Sequence, residues 1–531
     1  MRCLWLAGVL ALVGCPGPGT PEPDAPDAAP EDATPTDVAG DAPVDRPEPP
    51  PTDGLLHLRI TDAVRAEPLP CKVTLQGVGG TRTPMLGMDE QRGQWLDRER
   101  RVLGVGPWLL LAEGRADVAL PPGRYRLTAT RGGEYEALAL GEVELALRRG
   151  ARVAGELRRT VETEGEVCAE FHVHSEPSFD SDVPLDQRVL SMAVEGVEVF
   201  ASTDHDAAGD FGPALRTTGL QRHLHWVPGD EITAEGLGHF NVYPLPEGID
   251  PATRLRPDFG SVADLVARAR SVAPDAVLQL NHPLWRQHPI GYWALAGLDP
   301  MTGRSRMELV RAFDAVEVWN GHTLDEWADV SVGVEGVLDA WMSTLQHGRG
   351  ATATGSSDTH RLSASPPGWP RTYVRVPDDD PSRVTDVMLT TALRAGDASL
   401  TSGPFLRALV GGERPGRLAR AEGGRVTVEV DVQGVSWTPA DRVEVLANRA
   451  VVASRELPRP RPGAGLERQR FSLPVTLRRD AWVIVRTRAR DPVGPYAGVH
   501  QRPMASLALV NPVYVDVDGD GRWTPPGENG P

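Results

Sequence analysis

The stretch EFHVHSEPSFDSD (Glu170 to Asp182) sets two histidines either side of one valine and follows them with acids. Residues i and i+2 of an extended strand point to the same side, so His172 and His174 can face one ion together. The Asp358-x-His360 pair in ATATGSSDTH repeats that spacing. Imidazole mixed with carboxylate suits divalent Zn, Mn or Fe, and the lack of cysteine ligands argues against a structural zinc-thiolate site. Ions held this way polarise an attacked group and supply hydroxide near neutral pH, which is hydrolytic chemistry.

Such residues need elements that deliver them to one place. Apolar runs end in ligand-type residues again and again: EVCAEFHVH in His172 and His174, VEVFASTDH in Asp204 and His205, HWVPGDE in Glu231. AVLQLNH ends in His282, DAVEVWN in Glu317 and Asn320, and ATATGSSDTH in Asp358 and His360. Between them lie helical patterns. PLDQRVLSMAVEG places Leu185, Val189 and Met192 on one face, and SVADLVARARS opens on Ser261 as a cap. GVEGVLDAWMSTLQHG stops at Gly348, and DPSRVTDVMLTTALRAG stops at Gly396. Strand and helix in alternation predict an α/β fold with a parallel sheet or barrel, whose C-terminal strand ends share one site. His223 and His225 form a second H-x-H but precede a strand, so a solvated or capping role is expected.

In this order HVH, STDHD, GDEIT, NHP and SSDTH resemble the motifs of the PHP (polymerase and histidinol phosphatase) superfamily. PSFDSDVPLDQRV, DAVEVWNG and LTSGPFL resemble its CehA/McbA-like metallohydrolase branch. The resemblance covers Gly165 to Pro404 and implies a PHP-type distorted (β/α)7 barrel (165–404) with two or three divalent ions, Zn, Mn or Fe. By motif, His172, His174, Glu231 and Asp358 would hold one ion. Glu231, His239 and His282 would hold a second, with Glu231 bridging, and Asp180, His205 and His360 a third. Either Asp180 or Asp182 could fill the place in SFDSD. Glu231, Asp204 and Asp358 are the implied catalytic residues, Asp204 orienting a ligand from behind. Arg286, His322 and Arg361 are candidates for substrate contact. The family includes phosphoesterases and aryl carbamate hydrolases. The expectation is therefore a hydrolase using metal-bound hydroxide on a small-molecule phosphoester or a carboxylic or carbamate ester. The alternative, from another class, is a metal-stabilised surface binding or adhesion module without turnover.

Both flanks read as β. LLHLRITD, KVTLQGV and PPGRYRLTATRGGEY predict a β-sandwich over 54–164, and RVTVEVDVQG, RVEVLAN, RFSLPVTL and AWVIVRTRA predict another over 405–531. Near the end, DVDGDGRW places Asp516, Asp518 and Asp520 as in the start of a calcium loop, but Gly527 stands where the bidentate acid is needed. A structural Ca²⁺ and a plain acidic turn both fit.

MRCLWLAGVLALVGC has one Arg before an apolar run too short to span a bilayer, the pattern of a signal peptide (1–15). LVGC resembles a bacterial lipobox, which implies lipidation of Cys15. The segment 16–53 holds ten acids against Arg46 and no aromatic residue, so it reads as a disordered tether. Together these predict an exported, membrane-anchored bacterial lipoprotein of periplasm or cell surface. A net charge of −18 argues against a nucleic-acid partner. Cys71 and Cys168 are left as a disulfide pair or two buried thiols. Lys72 is the single lysine.

Overall fold

Alternating RVTVEVDVQG forms the strand Arg425–Gly434 and buries Val426, Val428, Val430 and Val432 on one face. Period-two burial of this kind fixes which face of a sheet meets its core. The computed structural model describes residues 53–527 apart from 88, 90, 256–259, 286–289, 322–333, 349, 459, 461–463 and 498–503. The signal peptide, Cys15, nearly all of the tether, Arg286 and His322 lie outside the described residues.

Residues 54–157 build two sheets. Gly54–Asp62 lies between Arg115–Leu120 and Gly150–Leu157 in a three-stranded sheet, and strands within 71–145 make a second of six. Leu56, Leu58 and Ile60 of the first sheet share an apolar cluster with Val73, Leu75 and Leu127 of the second. Full burial of side chains of this kind contributes about 1.5–3 kcal/mol each.

The middle of the chain is mixed α/β. One sheet runs Asp230–Ala234, Gly238–Tyr243, Val277–Leu280, Ala315–Asn320, Thr352–Ser356, with the last three mutually parallel. A ten-stranded sheet contains His225–Pro228, Val199–Ser202 and Glu166–Glu170, also parallel, followed by antiparallel Arg371–Arg375 and Ala398–Thr401. Helices Leu185–Val194, Val262–Val272, Val334–Leu345 and Asp386–Ala395 connect these strands. The Ser261 hydroxyl accepts from the backbone N–H of Asp264 and caps the second of them. Gly396 closes the last at φ +79°, a left-handed turn that costs any other residue strain.

The expected single closed barrel is not what the strand pairing shows. Glu166–Glu170 pairs outward with Arg371–Arg375, and the sheet continues through Ala398–Thr401 into Leu507–Asp516, Ala481–Arg488, Arg442–Ala447 and Ala450–Glu456. The two sheets are stitched by parallel bridges at Val173/Thr359 and His205/Glu231, both at the ends where the candidate ligands sit. The ten-stranded sheet thus runs across residue 404, the expected boundary. Beyond it, Phe405–Val410, Arg425–Gly434 and Leu466–Thr476 form a further sheet, which shares an apolar cluster with Val443, Val445, Val483 and Val485.

Charges are buried where these parts meet. Lys72 Nζ is almost fully buried, donates to the Glu195 carboxylate and donates to the Tyr496 carbonyl at 3.0 Å. Trp369 Nε1 donates to the other Glu195 oxygen at 3.1 Å. Cys71 and Cys168 are free and buried, and burial pushes both thiols up to about 12.

Candidate metal centre

The bridges set the site's frame. Pairing Val173 with Thr359 brings His172 and His174 beside Asp358 and His360, and pairing His205 with Glu231 brings a second sheet's ligands to the same point. Two site residues carry left-handed backbones, Asp358 at φ +54° and His282 at φ +25°. Such conformations in non-glycine residues are kept where the surroundings hold them, and functional sites are where they gather.

Glu231, 1% exposed, lies at the centre. Its Oε1 is 3.2 Å from His172 Nε2, 3.2 Å from His239 Nδ1 and 3.4 Å from His282 Nε2. Its Oε2 is 3.3 Å from His174 Nε2 and 3.1 Å from His205 Nδ1. Asp358 Oδ1 stands 3.2 Å from His172 Nε2 and 3.1 Å from His174 Nε2. Asp180 Oδ2 stands 3.0 Å from His360 Nε2 and 3.2 Å from His205 Nε2. The nine residues fall into overlapping sets: His172, His174, Asp358; His172, Glu231, His282; His205, Glu231, His239; and His174, Asp180, His205, His360.

These sets regroup the implied assignment. His205 reaches Glu231 and His239 as well as Asp180, and His174 joins the set of Asp180 and His360. Of the two candidates Asp180 and Asp182, the turn brings only Asp180 to the imidazoles. Ser178 Oγ donates to Asp180 at 2.8 Å and meets His174 Nδ1 at 3.1 Å. Asp182 points away, its exposed carboxylate 3.9 Å from Arg92.

The donor set fits divalent cations. His172 Nε2, His174 Nε2, His239 Nδ1 and Glu231 Oε2 are buried without a well-formed hydrogen bond. Buried polar atoms are nearly always bonded, so lone pairs converging unbonded are the signature of ligand atoms. All donors are imidazole nitrogen or carboxylate oxygen, as Zn, Mn or Fe prefer.

In the metal-free site the carboxylates and imidazoles shift one another in both directions. Burial works to raise the Glu231 carboxyl, but the imidazoles of His172, His205 and His239 hold it well below the usual range. Burial, with His360 and His205 nearby, pushes His174 down to about 3, which leaves its lone pair free for a ligand. Burial opposes protonation of His205, yet Glu231 and Asp180 hold it up at about 9.

Against expectation, Asp204 makes no hydrogen bond to an imidazole among the described contacts, and its Oδ2 is buried without a partner. Asp204 Oδ1 accepts the backbone N–H of Ser175 at 2.6 Å, and burial raises its carboxyl to about 7. The partners that orient the rings are Glu317 Oε1 for His172 Nδ1 at 3.0 Å, Ser178 for His174, and Thr233 Oγ1 for His205 Nδ1 at 2.7 Å. Glu317 Oε2 also accepts from the backbone of His282 at 2.8 Å and from Asn320 Nδ2 at 3.0 Å. Asn281 Nδ2 donates to Glu231 Oε1 at 2.8 Å. Glu317 ends one of the apolar runs, which was its signal; Ser178, Thr233 and Asn281 had none beyond proximity to a ligand in sequence. Arg361 follows His360 and is exposed. His225 pairs with Asp386 at 2.8 Å in the strand His225–Pro228.

At the chain's other end, Asp516 and Asp518 gather with Asp480, which sequence reading did not single out; Asp520 is not in that group. Asp516 accepts backbone N–H groups from Gly519 at 2.6 Å and Gly521 at 2.9 Å, and Asp480 accepts from Val517 and Thr524. These bonds form an acidic turn.

No family model matches the chain, and no curated protein matches it. Among solved structures the chain is similar to a Bifidobacterium adolescentis protein assigned as a metal-dependent phosphoesterase, with 15% identity over 38% of this chain and 90% of that one, at a TM-score of 0.24. It is similar to the lesion-specific endonuclease PfuEndoQ of Pyrococcus furiosus, with 12% identity over 43% of this chain and 56% of that one, at a TM-score of 0.30. An amidohydrolase of Chromobacterium violaceum, with bound sulfate and no metal, shows 14% identity over 36% of this chain and 87% of that one, at a TM-score of 0.24.

Proposed function

We propose that the chain is a metal-dependent hydrolase of the PHP type, in its CehA/McbA-like branch, acting on a small-molecule phosphoester or a carboxylic or carbamate ester. The observation that carries this reading is the convergence on Glu231 of five imidazoles whose facing atoms are buried and largely without hydrogen bonds. Divalent ions held there would polarise the scissile group and lower the pKa of water to near neutrality. The chain's own part is to hold nine donors in fixed places. Glu317, Ser178 and Thr233 fix ring orientation, and Asn281 fixes the central carboxylate. Burial of His172, His174 and Glu231 keeps bulk water from competing for their lone pairs.

The same reading takes residues 165–404 as the catalytic body, 54–164 and 405–531 as flanking β-modules, and the N-terminal segment as signal, lipidated Cys15 and tether. It places the enzyme outside the cytoplasm, anchored to a membrane by lipid and without a nucleic-acid partner.

The test is elemental analysis of the full chain purified without chelator, with a panel of aryl phosphates and aryl esters. Bound transition metal, lost together with turnover in His174→Ala, is the expected result. Metal that binds without any turnover would move the binding-module reading ahead. A chain that takes up neither Zn²⁺, Mn²⁺ nor Fe²⁺ would end the hydrolase reading.

A further inference from the structure

A cavity lies away from the metal centre, and none of the nine candidate ligands lines it. It measures 540 Å³ and lies where the sheet of Phe405–Val410, Arg425–Gly434 and Leu466–Thr476 departs from the ten-stranded sheet. Glu166 on its wall opens the strand that leads to His172; roughly six extended residues at about 3.3 Å each put some 20 Å between the two. The cavity is therefore a separate place at the other end of the same strands. Its volume falls inside the range of about 300–1,000 Å³ typical of small-molecule sites.

Its lining has an unusual charge pattern. Arg375, Arg407, Arg414, Arg468 and Arg470 line it with Glu166, Asp397, Glu429 and Asp431, a concentration of guanidiniums on a chain of net charge −18. Carboxylates sit beneath the guanidiniums in shared pairs. Glu166 Oε1 accepts from Arg407 Nε at 2.6 Å and Arg375 Nη2 at 3.3 Å. Asp431 Oδ2 accepts from Arg468 Nη2 at 2.5 Å and Arg470 Nε at 3.3 Å, and Arg468 also reaches Glu162. Arg414 Nη1 stands 3.0 Å from Asp397.

These contacts use only part of each fork. A guanidinium has five N–H donors, and the pairings engage Nη2 of Arg375, Nη1 of Arg414 and Nε of Arg470. A carboxylate that grips a guanidinium by one corner fixes the plane and leaves another edge for a second oxyanion, and bidentate capture by such edges is strong and selective. Leu406, Leu409, Val430 and Phe471 supply an apolar wall beside them.

We propose that this cleft is a second binding site, for a small organic anion with one carboxylate, phosphate or sulfate group on an apolar body. Arg375, Arg414 and Arg470 take the oxyanion, and the Phe471 side covers the body. The site stands whether or not the metal centre is catalytic, since it shares no residue with it.

Calorimetric titration of the full chain, with chelator present so that the metal centre is empty, tests this with phenylphosphonate, benzoate and inorganic phosphate. None of these is an ester, so hydrolysis does not interfere. The expected result is saturable binding of phenylphosphonate or benzoate, at least about tenfold tighter than inorganic phosphate, with a further loss of about tenfold in an Arg414→Gln, Arg470→Gln double variant. The group bound better tells a phosphate-type ligand from a carboxylate. Arg414 is 45% and Arg470 65% exposed, so the variant keeps its fold, which an unchanged melting curve checks. No saturable binding of any probe up to about 10 mM, equal binding of inorganic phosphate, or binding unchanged in the double variant would each overturn the proposal.

Discussion

Arg188 Nε donates to the backbone carbonyl of His174 at 3.0 Å from a position with no solvent exposure. The same guanidinium donates to the Thr359 hydroxyl at 2.8 Å and to the Thr359 carbonyl at 3.3 Å. One side chain of the helix Leu185–Val194 thus spans the two segments that carry His172, His174, Asp358 and His360.

Replacing Arg188 by Met should therefore loosen both segments at once. Acceptors left unsatisfied in a buried place cost about 1–3 kcal/mol each. The expected outcome is a lower urea midpoint together with reduced metal content. A variant that unfolds earlier yet retains full metal content would show that Arg188 supports the fold without positioning the ligands.

Glu317→Gln probes orientation more narrowly. The carboxylate holds His172 Nδ1 with one oxygen and the His282 backbone and Asn320 with the other. An amide of the same shape has one acceptor oxygen, so either the His172 contact or both contacts on the other side are lost. Loss of such a supporting carboxylate lowers metal affinity by roughly 10–100-fold. Competition against a chelator of known affinity measures it, and an unchanged affinity would remove Glu317 from the set of positioning residues.

On the proposed reading, protons and metal ions would compete for His205. In the metal-free fold its imidazole is held at about 9, above its ordinary value of 6.5, by Glu231 and Asp180 against the effect of burial. A raised histidine contributes stability that is full below pH 6.5 and is lost as pH rises through about 9. The chelated chain should accordingly lose stability across that window, and His205→Gln should flatten the loss. Zinc binding should release protons and tighten over the same window. Denaturation midpoints from pH 6 to 10, and calorimetry in buffers of different ionisation enthalpy, check both; no proton release would contradict the competition.

The thiols give a simple check on the two-sheet arrangement. Cys71 and Cys168 are fully buried, and burial raises both to about 12, so alkylation at pH 8 should leave both unmodified in the native chain. In urea without reductant both should react. Peptide mass analysis that found them still blocked in urea would mean that they are bonded to each other.

The clustering of the candidate residues was legible because part of their spacing is local. H-x-H and D-x-H depend on strand period alone, and each stands at the end of an apolar run. The choice between Asp180 and Asp182 was not legible, because it depends on a hydroxyl, Ser178 Oγ, that anchors the turn from within. The backbone contact of Asp204 was not legible for a similar reason, since it depends on the N–H of Ser175 reaching one carboxylate oxygen. Strand-helix alternation predicted mixed α/β structure, but not how the sheet ends. Whether it closes or continues depends on Ala398–Thr401 finding Leu507–Asp516, a pairing between segments more than 100 residues apart. No periodicity within either segment encodes that partner.

The buried place of Lys72 has a practical consequence. Its ammonium is the chain's single side-chain primary amine, and Glu195 and Tyr496 enclose it. Amine-directed labels and cross-linkers will find no lysine on the folded surface, and trypsin will cut the exposed chain at arginine alone. Labelling of Lys72 by an acylating reagent therefore reports directly on separation of the segments around residues 72, 195 and 496, without any engineered probe.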